Sequence, residues 1–133
     1  MPIRVEIVSP EKHHVDRQID MVVLPGREGQ IAAMPGHAPV MLQLSGGVVS
    51  LYEADRVVDE FFVSGGFADI GADRCMVLAD TVRHIDELDA EAARERLGTL
   101  EHQWAQITPS EPSASERLEL ELQAVRAEIE AGS

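Results

Sequence analysis

Residues 21–47 read MVVLPGREGQIAAMPGHAPVMLQLSGG. Val22, Val23 and Leu24 run into Pro25-Gly26, Gly29 follows, and a second break at Pro35-Gly36 precedes His37 and Pro39. Proline pre-sets φ for a turn and glycine reaches positive φ without steric cost, so the pattern predicts short strands joined by stiff corners. Strands are expected at 21–24, 30–34 and 40–44. No nucleophile with its base lies in the stretch, which therefore reads as a shaped surface.

The flanking sequence repeats the theme. Upstream, Ile3, Val5 and Ile7 alternate with Arg4 and Glu6, the period of a half-buried strand, and Ser9-Pro10 ends it. A second extended segment covers 13–19. Downstream, Gly46-Gly47 opens a strand at 48–52, Glu53-Ala54-Asp55 turns into 56–63, Gly65-Gly66 precedes 67–70, and Gly71-Ala72-Asp73 leads to 75–79. About nine or ten short, turn-bounded strands over residues 2–84 predict an antiparallel β-sandwich or barrel.

At Ile85 the period changes to that of a helix. Leu88, Ala92, Leu97, Leu100, Trp104 and Ile107 keep to one helical face, and Asp86 is the expected N-cap of a helix over 86–106. Pro109 and Pro112 predict a loop over 108–115. Ser113-x-x-Glu116 has the form of a capping box, and Leu118, Leu122, Val125 and Ile129 mark a second helix to about residue 131. The fold class is thus α+β, a β-sandwich over 1–84 and an antiparallel two-helix hairpin over 85–133. The apolar stripes pack on each other and on the sandwich. Glu116, Glu119, Glu121, Glu128 and Glu130 outnumber Arg117 and Arg126, which predicts a solvated acidic face on the second helix.

Composition narrows the function. The 133 residues include 24 acidic and 11 basic side chains, a formal charge of −13, with Lys12 the only lysine. Nucleic acid needs a cationic face to release counterions, and anionic lipid attracts basic clusters, so neither is an expected partner. Cys75 stands alone between apolar neighbours and reads as a core residue. The N-terminal residues lack a signal-peptide pattern, and no apolar run is long enough to span a bilayer, which predicts a soluble, unexported protein.

Catalytic patterns are missing. PGREG at 25–29 lacks the lysine and spacing of a phosphate loop, and Ser64-Gly65-Gly66 lacks the nucleophile-elbow pattern. His13 and His14 are adjacent on a strand, so their rings point to opposite faces and do not chelate one metal. Asp69, Asp73 and Asp80 fall near strand ends, where carboxylates cap turns. His37 sits in a rigid Pro-Gly-His-x-Pro corner, where it serves a contact, a turn hydrogen bond, or only the loop.

The succession Val23-x-Pro25-Gly26-x-x-Gly29, Met34-Pro35-Gly36-His37-x-Pro39, Gly46-Gly47, Gly65-Gly66-Phe67 and Val77-Leu78-Ala79-Asp80 resembles the epsilon subunit of F-type ATP synthases, called delta in mitochondria. The resemblance covers nearly the whole chain. It implies a non-catalytic rotor subunit at the cytoplasmic face of the bacterial inner membrane, with no cofactor of its own. The sandwich would dock the gamma subunit and the c-ring, and the hairpin would reach the alpha/beta catalytic head. As a rigid wedge it would couple gamma to the ring during proton-driven ATP synthesis, through an interface on the order of 1,000 Å² or more. The ring-facing edge would lie at residues 28–41, with Arg27, Glu28, Gln30, His37 and Met41 as contact candidates.

Three departures qualify the resemblance. Family members usually carry Glu at the position of Gln30, so that ion pair with the ring is absent. The nucleotide motif Ile-Asp-x-x-Arg-Ala with a later Arg is degenerate: Ile85, Asp86, Ala90 and Arg96 match, but Asp89 replaces the first Arg. A carboxylate repels phosphate, so ATP binding is expected to be weak or absent. The second helix is acidic where inhibitory members are basic, so the hairpin is expected to be at most a weak inhibitor of ATP hydrolysis. The rival readings are a nucleotide-sensing inhibitory regulator of the same complex, a free-standing β-sandwich adaptor, and a small enzyme built on His37.

Overall fold

The computed structural model describes residues 2–106 and 112–132. Ten strands form two five-stranded sheets, in the orders β2-β1-β9-β8-β5 and β10-β7-β6-β3-β4. In the first, β1 (Ile3–Val8) pairs antiparallel with β2 (His13–Ile19), while β8 (Phe67–Ile70) lies between β9 (Arg74–Leu78) and β5 (Val40–Gln43). In the second, β3 (Met21–Gly26) and β4 (Gly29–Ala33) form an edge hairpin beside β6 (Gly47–Glu53), β7 (Arg56–Ser64) and β10 (Thr81–His84).

Alternation along each strand builds the core. Ile3, Val5 and Ile7 are fully buried, as are Val22, Leu24, Val49, Leu51 and Val63 from the other sheet. Each contributes on the order of 1.5–3 kcal/mol by leaving water. Cys75 belongs to this layer, and burial pushes its thiol up to about 12.

The sandwich is antiparallel as expected apart from one pair: β1 and β9 run parallel, with Val5 beside Cys75 and Ile7 beside Val77. Alternation reports which face a residue takes, not the direction of its neighbour, so this pairing left no trace in the sequence. Strand β10 was also absent from the expected set, because only Val82 of its four residues is buried.

The chain leaves the sheet through a single 3-10 turn, Ile85–Glu87, where the Asp86 N–H donates to His84 Nδ1 at 3.2 Å. Helix α1 (Ala90–Gln106) starts four residues later than expected. Asp89, not Asp86, caps it, with Oδ1 accepting from Glu91 N at 3.0 Å and Ala92 N at 3.3 Å. Helix α2 (Pro112–Gly132) begins at a proline, where a missing N–H costs nothing, so residues 112–115 are helical and not loop. Ile107 and the remainder of the expected loop lie outside the described residues.

Helix α2 is the inner helix, touching β6, β7 and the 3-10 turn, and α1 packs on α2. Leu118, Leu122 and Val125 are buried as expected. On α1 the inward residue is Ala93, whereas Ala92 is exposed and Trp104 is 43% exposed. As the outer helix, packed on α2, α1 fully buries only Ala93 among its described residues. Glu128 overturns the expectation of a solvated acidic face at its position, being only 3% exposed.

Candidate functional site

The two sheets each end in an uncovered strand at the same side of the sandwich, β4 in one and β5 in the other. A groove of about 450 Å³ runs between them, lined by Arg27, Glu28, Gln30 and Ile31 from the β3–β4 hairpin and by Met41 and Gln43 from β5. Edge strands carry unpaired N–H and C=O groups, so such a site suits recognition of another chain. Met41 is 66% exposed, and Val40 and Met34 are exposed as well.

Local geometry makes this edge stiff. The Arg27 backbone N–H donates to the Gln43 carbonyl at 3.0 Å, and its guanidinium Nη1 donates to Gln43 Oε1 at 3.1 Å. Gly26 bridges to Leu44, and Ser45 donates to the Pro25 carbonyl through both its N–H, at 2.8 Å, and its Oγ, at 3.2 Å. A Cβ on Gly26 would lie 2.7 Å from the Gly29 carbonyl oxygen, so the turn closes only on glycine. The second corner is anchored by Gly36, at φ +86, whose N–H reaches the Ala72 carbonyl at 2.7 Å.

The candidates from sequence divide accordingly. Arg27, Glu28, Gln30 and Met41 share the groove. His37 does not line it; the ring Nδ1 lies 2.6 Å from the Ala38 carbonyl, so Nδ1–H donates there and holds the corner. His14 Nε2 pairs with Ser9 Oγ at 2.8 Å while His13 is exposed, the opposed orientation expected of neighbours on a strand.

The degenerate nucleotide positions are spread over the 3-10 turn and α1. Ile85 and Asp86 lie in the 3-10 turn, with the Asp86 carboxylate 3.5 Å from His84 Nδ1. Ala90 opens α1, and Asp89 is committed to capping it. Arg96 Nη2 binds Glu128, which also binds Arg83.

Sequence reasoning passed over Arg83, Gln43 and Gln123. Gln123 Oε1 accepts the Gly46 N–H and its Nε2 donates to the Gly46 carbonyl, both at 2.8 Å. Only the interruption of an apolar stripe by Gln123 and Glu128 hinted at these contacts. Among the described residues, no helix is long and apolar enough to cross a membrane.

Residues 2–85 match the family model described as ATP synthase, Delta/Epsilon chain, beta-sandwich domain. A protein of Gluconacetobacter diazotrophicus named ATP synthase epsilon chain is 49% identical over 131 residues, covering 98% of this chain and 93% of its own. One of the same name from Rhodospirillum rubrum is 41% identical over 103 residues, covering 77% of each. Among solved structures, a chain of the Euglena gracilis mitochondrial ATP synthase, OSCP/F1/c-ring, superimposes with a TM-score of 0.79 at 16% identity, covering 95% of this chain and 78% of that one. A chain of the Tetrahymena thermophila mitochondrial ATP synthase central stalk and c-ring gives 0.69 at 13% identity, covering 100% and 98%. At these identities the structural matches speak to the fold.

Proposed function

Since the chain belongs to the ATP synthase delta/epsilon family, we propose that it is a non-catalytic rotor subunit that couples gamma to the c-ring. The sandwich, residues 1–84, is the docking unit and the hairpin, 85–133, the regulatory one. The complex places it peripherally at the cytoplasmic face of the bacterial inner membrane.

One observation carries this reading most: the edge between β4 and β5 is exposed, partly apolar and cross-tied by Arg27, Gln43 and Ser45. A torque-bearing contact needs shape and rigidity more than charge, and this edge has both. Arg27, Glu28, Gln30 and Met41 contact the ring from the groove, and His37 sets the neighbouring corner. Replacing 27–37 with a flexible segment should abolish proton-driven ATP synthesis in the reconstituted complex, while Gln30→Glu should change it little. Normal synthesis after the replacement overturns the assignment.

The hairpin inhibits hydrolysis weakly at most. Glu116, Glu119 and Glu121 are exposed, so the face offered to a catalytic head is acidic. Removing residues 86–133 should leave ATPase activity of the assembled head almost unchanged, and a several-fold rise would favour the inhibitory alternative.

A further inference from the structure

The apolar stripe of α2 runs through Leu118, Leu122 and Val125, and the next inward position holds Glu128. A carboxylate is a poor choice for a buried position unless both oxygens find strong partners. Here they do: Oε1 takes Arg83 Nη2 from β10, and Oε2 takes Arg96 Nη2 from α1. Strand β10 and helices α1 and α2 therefore meet at one side chain. The Arg83 and Arg96 side chains are 32% and 48% exposed, at the rim of a cleft of about 350 Å³ that also includes Phe62, Leu100 and Val125.

The arrangement favours one position of the hairpin more than it adds net stability. Burying an ion pair returns little against an apolar alternative, but removing one partner leaves uncompensated charge. Arg83 Nε is moreover buried without a hydrogen-bond partner among the described residues, so the site is not optimised for stability alone. Without the carboxylate, two cations would face each other across the boundary between sheet and hairpin. The tie between Gln123 and Gly46 lies on the same helix and would separate with it.

We propose that Glu128 is the latch of the hairpin: its carboxylate, shared between Arg83 on the sandwich and Arg96 on α1, selects the docked position of both helices. Loss of that charge releases the hairpin as a unit and leaves the sandwich folded. The latch acts whatever the β4–β5 groove binds.

Amide hydrogen exchange followed by NMR on the full chain tests this, because the Gly46 N–H is bonded to the hairpin and reports docking directly. Glu128→Gln keeps the volume and removes the charge; Gly46 exchange should accelerate at least about tenfold, while the amides of β1 and β9 keep their rates. Arg96→Gln, at an exposed site away from the core, should accelerate Gly46 as well. Wild-type Gly46 exchange in Glu128→Gln overturns the proposal. If Glu128→Gln instead loosens the sheet amides, Arg96→Gln is the deciding variant: unchanged Gly46 exchange there overturns the proposal, and selective acceleration upholds it.

Discussion

Gln123 clasps Gly46 with both ends of its amide, accepting the glycine N–H and donating to its carbonyl at 2.8 Å each. The pairing works because Gly46 has no side chain: a Cβ there would lie 2.5 Å from Ala124 Cα and 2.8 Å from Ala124 Cβ. Neither atom can move by a rotamer change. Gly46→Ala should therefore push α2 off the sheet and cost about 1–3 kcal/mol, read as a lower urea midpoint followed by Trp104 fluorescence. Gly98→Ala is the contrasting case, since nothing lies within 4 Å of its Cβ on the exposed face of α1. It should stabilise the helix by up to about 1 kcal/mol.

Asp89 serves as the cap of α1, and that role explains a carboxylate where a phosphate-binding pattern would carry a cation. Arg96, the other cation of that pattern, is held by Glu128. Calorimetric titration with ATP should show no binding in the micromolar range. Asp89→Ala should lower stability by about 1 kcal/mol through loss of the cap, without creating affinity for ATP. Micromolar binding to the native chain would favour the nucleotide-sensing alternative instead.

His14 gives the fold a small, signed pH dependence. Its pKa lies below the ordinary value of 6.5, first because burial disfavours the charged ring and then because Lys12 is near. The unfolded chain therefore binds the proton more readily than the folded one as pH falls below 6.5. Stability is retained above that value and declines through the window beneath it. Thermal unfolding followed from pH 7.5 to 5 should show this decline, and His14→Gln, which keeps a polar partner for Ser9, should flatten it. An equal slope in both proteins would exclude His14 as the cause.

Most of the sandwich was legible because each strand carries its own alternation and each corner its own proline or glycine. Ile3, Val5 and Ile7 needed no partner to reveal their buried face, and Pro25-Gly26 and Pro35-Gly36 revealed their turns. What escaped depends on distant neighbours. Nothing near Val5 indicates that Cys75 lies beside it in a parallel pair. Glu128 looks like a surface residue until Arg83 and Arg96 are brought to it. The β4–β5 edge falls between these cases: Arg27, Glu28, Gln30 and Met41 line one groove, while His37 stays at the corner. The start of α1 was misread because both Asp86 and Asp89 are suitable caps, and only the intervening 3-10 turn selects the second.

Cross-linking from Met41 asks whether the β4–β5 edge faces the c-ring. Met41 is 66% exposed on β5, and the only native thiol, Cys75, is buried with its pKa pushed up to about 12, so a Met41→Cys variant carries one reactive site. A photoactivatable maleimide placed there in the assembled complex should capture the c-ring subunit. The same probe at Gln18→Cys, on exposed β2 at the opposite end of that sheet, should not. Capture of the ring from Gln18 and not from Met41 would contradict the account.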